Sequence, residues 1–426
     1  MHMETYGKIL LFAMPVFLGL VLFEKWYGWY TRNDTGRQMD MISSLSSGVT
    51  NVTKDVLGLS IIVISYEWLV NKIAIVHLQP GWWLYIIAFV ALDFAGYWVH
   101  RIAHTYNLFW NNHIIHHSSE EFNLACALRQ SVSEIIKIFA VFLLPAALLG
   151  VPSKVIAIVA PIQLFAQFWY HTQHINKMGW LEKIIVTPSH HRVHHAINKE
   201  YIDKNFSQIF IVWDKLFGTF QGEMPGAKPV YGITRPARTW NPLKINFIHV
   251  GLLMKDAWRA KNWRDKFKIW LMPTGWRPLD VAEKYPVYKI DDVYHFEKYA
   301  PAYSGRLLVW SWAQLLVLLL FTSYLFGNIA VIGSPAIFIY GLFIFLSVYS
   351  FTELMDLNPF ALAWEVIKNL LGGYIIIRTG SWFSMPSSFS WMNTVIAGWL
   401  IISTAVTAWF VFSEFKKGSK LSLYTQ

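Results

Sequence analysis

The residues best placed to do chemistry in this sequence are its histidines. Eleven of the 15 fall between His100 and His195, grouped as His100 with His104, His113 with His116 and His117, His171 with His174, and His190 and His191 with His194 and His195. On a helix, side chains three and four apart share a face, so His113, His116 and His117 can converge on one point, and His191, His194 and His195 repeat that geometry. Thr187 and Pro188 supply an N-cap and a first-turn proline, which predicts that the last box is helical. Neutral imidazole nitrogen ligates iron, zinc, copper or nickel, and one helical turn suits bonds of about 2 Å.

The ligand set read from this spacing is His100, His104, His113, His116, His117, His171, His190, His191, His194 and His195, enough for two adjacent ions. Imidazoles crowded at a membrane boundary would repel if protonated and would cost desolvation if left unpaired, and a bound metal removes both penalties. His174 and His190 can serve either as ligands or as hydrogen-bonding neighbours. His2, His77, His249 and His295 stand alone and read as structural or surface residues. Glu120, Glu121, Glu134, Asp203 and Asp214 lie near the boxes, either to orient an imidazole through its second nitrogen or as ordinary interfacial charges. Asn123 and Asn205 are candidates to hydrogen-bond a ligand or a substrate headgroup, and Arg129 to meet a lipid phosphate.

What must position these groups is a membrane bundle. The chain is 55% hydrophobic, 17% aromatic and only 15% charged over 426 residues. Apolar runs cover Ile9 to Phe23, Val56 to Val70, Trp82 to Val99, Ile135 to Leu149, Val155 to Tyr170, Leu307 to Phe326, Ile329 to Phe351 and Phe389 to Phe412, several shorter than the roughly 20 residues of a full crossing. The first run lacks a small-residue cleavage pattern and is followed by Trp26, Tyr27, Trp29 and Tyr30, so it reads as a retained helix ending at a headgroup boundary. The fold class expected is all-α, a polytopic membrane helical bundle carrying a cytoplasmic histidine-rich two-metal site and a cap. Three stretches follow: 1–175, an N-terminal transmembrane bundle with the first boxes; 176–306, a cytoplasmic cap with the last box; and 307–426, C-terminal transmembrane helices with a tail whose Lys416, Lys417 and Lys420 read as solvated.

The net charge of +10 sits mostly in the Trp-rich middle stretch without a nucleic-acid motif, which points to anionic lipid and the cytoplasmic side rather than to nucleic acid. Cys126 is the sole cysteine, so an intrachain disulfide is impossible and thiolate metal chemistry is excluded. Topology also bears on the ligands. The run ending at His100 leads into the second box without a crossing, and the arms either side of Pro152 form a hairpin that returns the chain at His171. All boxes therefore emerge on one face.

An all-histidine set does not by itself choose iron over zinc, but two redox-active ions can jointly reduce oxygen and attack an unactivated carbon–hydrogen bond. In pattern and order, His100 with His104, His113 with His116 and His117, and His191 with His194 and His195 resemble the fatty acid hydroxylase, or sterol desaturase, superfamily of integral-membrane non-haem di-iron enzymes. The surroundings, His116-His117-Ser118-Ser119-Glu120, Ala127-Leu128-Arg129-Gln130-Ser131 and Thr187-Pro188 onward to Asn205, are most similar to its alkylglycerol monooxygenase branch. The resemblance implies two iron ions, molecular oxygen and a lipid substrate hydroxylated beside an ether oxygen. It also implies tetrahydrobiopterin or another external electron donor, and a bacterial inner membrane or endoplasmic reticulum location. Thr105 departs from the branch, which typically has glutamate there; the departure touches the pterin and the ether substrate, not the boxes. No Rossmann signature, P-loop or haem attachment motif is present, so electrons must come from outside the chain. Two other readings are a desaturase using the same site and a metal transporter or sensor, for which the apolar runs offer only scattered polar residues such as Asp93 and Gln163.

Overall fold

The computed structural model describes residues 3–76, 78–79, 81–137 and 139–415. His2, His77 and the tail lysines Lys416, Lys417 and Lys420 lie outside the described residues. Among the described residues, five helices are long and apolar enough to cross a membrane: Glu4–Tyr30, Trp83–Thr105, Gly305–Gly327, Ala336–Met355 and Trp391–Glu414. Strand is confined, among the described residues, to a two-residue parallel ladder pairing Ile61 and Ile62 with Ile136 and Lys137. The chain is a multi-span helical membrane protein.

Three of the apolar runs are not single helices. The run from Val56 to Val70 breaks at once, because Gly58 takes a left-handed φ of 65° and Ser65 caps a new helix, Tyr66–Ile73, by accepting from the amide of Trp68. The arms around Pro152 are short. Phe139–Leu143 is a tight 3₁₀ turn leading into Leu144–Leu148, and Ser153–Ala166 spans only about 21 Å, less than a bilayer core. The run from Ile329 is likewise interrupted at Gly333, and Ala336–Met355 forms the crossing.

Two helices escape a hydropathy reading. Gln38–Val56 is rich in Ser and Thr yet buried over most of its length, and it packs against the C-terminal crossings Gly305–Gly327 and Ala336–Met355. Several of its hydroxyls are satisfied within the protein: Ser44 and Ser46 donate to the carbonyls one turn back and Ser43 to that of Trp240, whereas Thr53 Oγ1 is buried without a partner among the described residues. Ala361–Thr379 hides Glu365 and Lys368, which pair with each other at 2.6 Å. Burying such charged groups is tolerable only because each finds a partner.

Short helices and loops between Gln167 and Ser304 cover one end of the bundle and are pinned to it by carboxylates. Asp93, within the crossing Trp83–Thr105, accepts from the amides of Ile209 and Phe210 and from Trp213 Nε1. Asp356, at the end of Ala336–Met355, accepts from the Trp240 amide and the Tyr299 hydroxyl, and Glu353 one turn earlier accepts from Asn241. These bonds hold the last histidine box against the membrane helices.

Candidate metal centre

The first box ends the crossing Trp83–Thr105, the second lies on Asn107–His117, and the third on Pro188–His194, where Pro188 occupies the first turn. These elements converge so that nine imidazoles form two groups. One holds His100, His104, His113, His117 and His194; the other holds His116, His171, His191 and His195, and within each group the candidate ligand nitrogens lie within 4.8 Å of one another. The second and third boxes are each split between the groups, because successive residues on a helix point about 100° apart.

The nitrogens meet through Nε2. His100 and His113 approach to 2.9 Å, His117 comes to 3.1 Å from both His104 and His113, and His171 lies 2.8 Å from His191 and 3.4 Å from His116. The opposite nitrogens are fixed by backbone carbonyls. Nδ1 of His100 donates to Phe206 O at 2.8 Å, that of His171 to Gln167 O at 3.0 Å, that of His194 to Lys204 O at 2.9 Å and that of His116 to Arg129 O at 3.3 Å. A carbonyl only accepts, so these four imidazoles must carry their proton on Nδ1 and turn the Nε2 lone pair inward. Buried His194 Nε2 has no hydrogen-bond partner among the described residues.

Inward lone pairs crowded together repel unless a cation sits among them, and that is the test the residues pass: neutral, borderline nitrogen donors in two adjoining sets suit two transition-metal ions. Burial, reinforced by the neighbouring imidazoles, pushes His113, His117, His171, His191, His194 and His195 well below the ordinary histidine range, and His116 down to about 3. All are therefore unprotonated, as ligation requires.

His190 is the member of the sequence set that the structure leaves out. Its position on the helix turns it away, with Nδ1 3.4 Å from the Thr187 hydroxyl and its ring against Phe220. His174 also lies apart, edge-on to Tyr27. Asp203 approaches a ligand, with Oδ1 3.5 Å from His104 Nδ1. Asn205 instead donates to the carbonyls of His190 and Gln221, bracing the last box, and Asn123 caps its own turn by accepting from the amides of Ala125 and Cys126. Glu120 accepts from Arg37 and from the Tyr299 amide, and Glu121 pairs with Arg37 and Lys298. Arg129 meets no lipid: it is buried and bound to Asp40 Oδ2 at 2.8 Å, Ser44 and Ser118. Thr105 donates to the Arg101 carbonyl of its own helix.

Several contributors carry no sequence signal. The Phe206, Lys204, Gln167 and Arg129 carbonyls are backbone groups; Asp214, a candidate in the sequence, touches no imidazole and acts one step further back, accepting from the amides of Phe206 and Ser207 at 2.8 Å each. Glu24, from the first crossing, accepts from the hydroxyl of Thr172 beside His171. A cavity of about 500 Å³ opens onto His100, His113, His116, His171 and His191. From there it extends between the first crossing, at Leu10, Met14, Phe17 and Leu18, and the polar helix, at Leu45, Val49 and Val52.

A membrane-embedded helical bundle with a histidine-lined centre facing an apolar cavity is thus the class that fold and site define. Comparison with known proteins makes it specific: the fatty acid hydroxylase family pattern matches residues 85–219, which contain all nine converging histidines. The chain is 35% identical over 365 residues to alkylglycerol monooxygenase of Homo sapiens, covering 84% of this chain and 80% of that protein. It is 32% identical over 376 residues to alkylglycerol monooxygenase of Danio rerio, covering 86% and 82%. A shorter likeness, 27% over 162 residues, covering 37% and 49%, links it to an ornithine lipid hydroxylase of Rhizobium tropici. The chain belongs to the fatty acid hydroxylase family. No solved structure matches it.

Proposed function

We propose that this chain is an oxygen-dependent lipid monooxygenase that holds two iron ions on its nine converging histidines and hydroxylates the carbon beside the ether oxygen of an alkylglycerol, so that the product separates into aldehyde and glycerol. The observation that carries the reading is the opening of both histidine groups onto one long apolar cavity. Bound iron supplies the activation of oxygen needed to break a carbon–hydrogen bond. The protein supplies the rest. Phe17, Leu18, Val49 and Phe168 give an alkyl chain an apolar bed, and its burial excludes water from the centre. Carbonyl-anchored Nδ1 protons keep the imidazoles from rotating, which fixes where an oxidant is presented.

The donor of electrons in this reading is tetrahydrobiopterin or another soluble reductant, and the histidine face lies on the cytoplasmic side of a bacterial inner membrane or the endoplasmic reticulum. Relatives named as alkylglycerol monooxygenases, similar over four-fifths of their length, support the ether substrate. The test is oxygen-isotope labelling of lipids incubated with the iron-loaded protein and reduced pterin. Gain of one labelled oxygen supports hydroxylation; loss of two hydrogens identifies a desaturase. Two bound irons with no oxygen consumption under any reductant would overturn both.

A further inference from the structure

The cavity is lined mostly by apolar residues, with Asn51, Asp55, Asn112, Gln130, Glu134 and Ser207 among the polar ones, and two further amides, Gln167 and Gln208, belong to a short relay beside the ligands. Gln167 precedes His171 by four residues, Gly96 precedes His100 by four, and Gln208 follows the Phe206 carbonyl that anchors His100. Gln163 Nε2 donates to Phe89 O at 3.2 Å, and Gln167 Nε2 donates to the Gln163 carbonyl at 3.2 Å. Because that acceptor is a backbone carbonyl, the orientation of the Gln167 amide is determined, and the same nitrogen approaches Gln208 Oε1 at 3.4 Å. The Gln208 oxygen is thereby engaged. Its nitrogen has no hydrogen-bond partner among the described residues, and Gln208 lines the cavity. Gly96 is what makes room: a Cβ there would collide with the Gln208 amide.

We propose that Gln208 is the residue that selects a lipid carrying an acceptor oxygen, by donating from Nε2 to that oxygen. The inference rests on the reading of this cavity as the lipid-oxidising site. An ether oxygen accepts and never donates, which complements a lone donor. A plain hydrocarbon segment packed against this half-buried amide would cover it without offering an acceptor, the situation in which a polar site discriminates against an analogue lacking the oxygen. The position adds regiochemistry. Gln208 lines the same cavity as His100, His113 and His116, so an oxygen held there keeps its neighbouring carbons in the chamber that the histidines face.

The experiment uses the full-length protein in lipid nanodiscs and two probes, an alkylglycerol ether and the same lipid with the ether oxygen replaced by methylene. Both are measured by displacement of a fluorescent lipid, which needs no turnover. The wild type should prefer the ether by about fivefold, the size of one neutral hydrogen bond. Gln208→Leu should erase the preference while leaving bound metal unchanged; Gln208→Met, closer in shape, reports the same if the first variant does not accumulate. Equal binding of the two lipids by the wild type, or a preference that survives in the variants, overturns the proposal. A wild type that shows the preference but turns over neither lipid leaves Gln208 as an acceptor-selecting residue and sinks the monooxygenase reading instead.

Discussion

The rings of His117 and His195 lie face to face, with centroids 4.4 Å apart and planes inclined by 25°, although the two residues belong to different histidine groups. This stack is the seam between the groups. It shows that the centre is not built one box per ion: the second and third boxes each contribute to both sides.

If the groups hold one ion each, single substitutions should be separable. His194→Ala removes a nitrogen from the five-histidine group and His191→Ala one from the four-histidine group. Each should lower bound iron from about two ions per chain toward about one, measured by metal analysis of purified protein. Unchanged stoichiometry in both variants would mean that the groups do not bind metal as described.

Asp214 should matter although it touches no histidine. It accepts the amides of Phe206 and Ser207 and the Thr219 hydroxyl, and so aims the carbonyl that holds His100. Asp214→Asn replaces one acceptor by a donor facing an amide. We expect a loss of about 2 kcal/mol in stability and at least a tenfold fall in metal affinity. Thermal melts and metal titration, taken together, would show whether the second effect exceeds simple unfolding.

The Arg129–Asp40 pair is fully buried, and Arg129 also offers its carbonyl to His116. Arg129→Met strands a buried carboxylate, for which a cost of about 3 kcal/mol or more is expected. Adding Asp40→Asn should recover a substantial part of it. A double variant no more stable than the single one would show that the charge pairing is not what the loop depends on.

Ala13 lines the cavity on the first crossing, beyond the ligands. Ala13→Phe should displace about two methylenes' worth of bound chain and raise KM for the longest substrates roughly tenfold, leaving short-chain lipids unaffected. Product analysis over a series of chain lengths is the measurement, and a uniform loss across the series would contradict a chain-binding cavity.

His249 offers a pH test outside the centre. Burial, assisted by nearby Arg235, lowers its pKa to about 4, and its Nε2 has no hydrogen-bond partner among the described residues. The unfolded chain, with a pKa near the ordinary value of about 6.5, binds a proton first as pH falls. Stability from this group is thus full above about pH 6.5 and is lost progressively down to about pH 4, by about 3 kcal/mol. Melting temperatures of His249→Phe should show a shallower decline across that window than the wild type.

Much of this protein was legible in its sequence, because the signals involved are local. Three- and four-residue spacing brought His113, His116 and His117 to the centre, though not to one point, since His116 falls in the other group, and unbroken apolar stretches marked the crossings at Trp83–Thr105 and Gly305–Gly327. The Val56 to Val70 run misled because hydropathy averages over Gly58 and Ser65, whose backbone roles end one helix and start another. Gln38–Val56 was invisible because part of its polarity is cancelled only by bonds to distant segments, such as Ser43 to the Trp240 carbonyl and Lys54 to that of Ser131. Arg129 read as a lipid contact because Asp40 lies 89 residues away in the chain. The sequence by itself determined that many imidazoles would gather at one end of a membrane bundle, since helical period and apolar length are properties of consecutive residues. Tertiary structure alone decided which nine converge, how the boxes divide, which carbonyls turn each ring, and that the centre faces a cavity: these depend on packing between distant segments and on backbone groups that every residue shares.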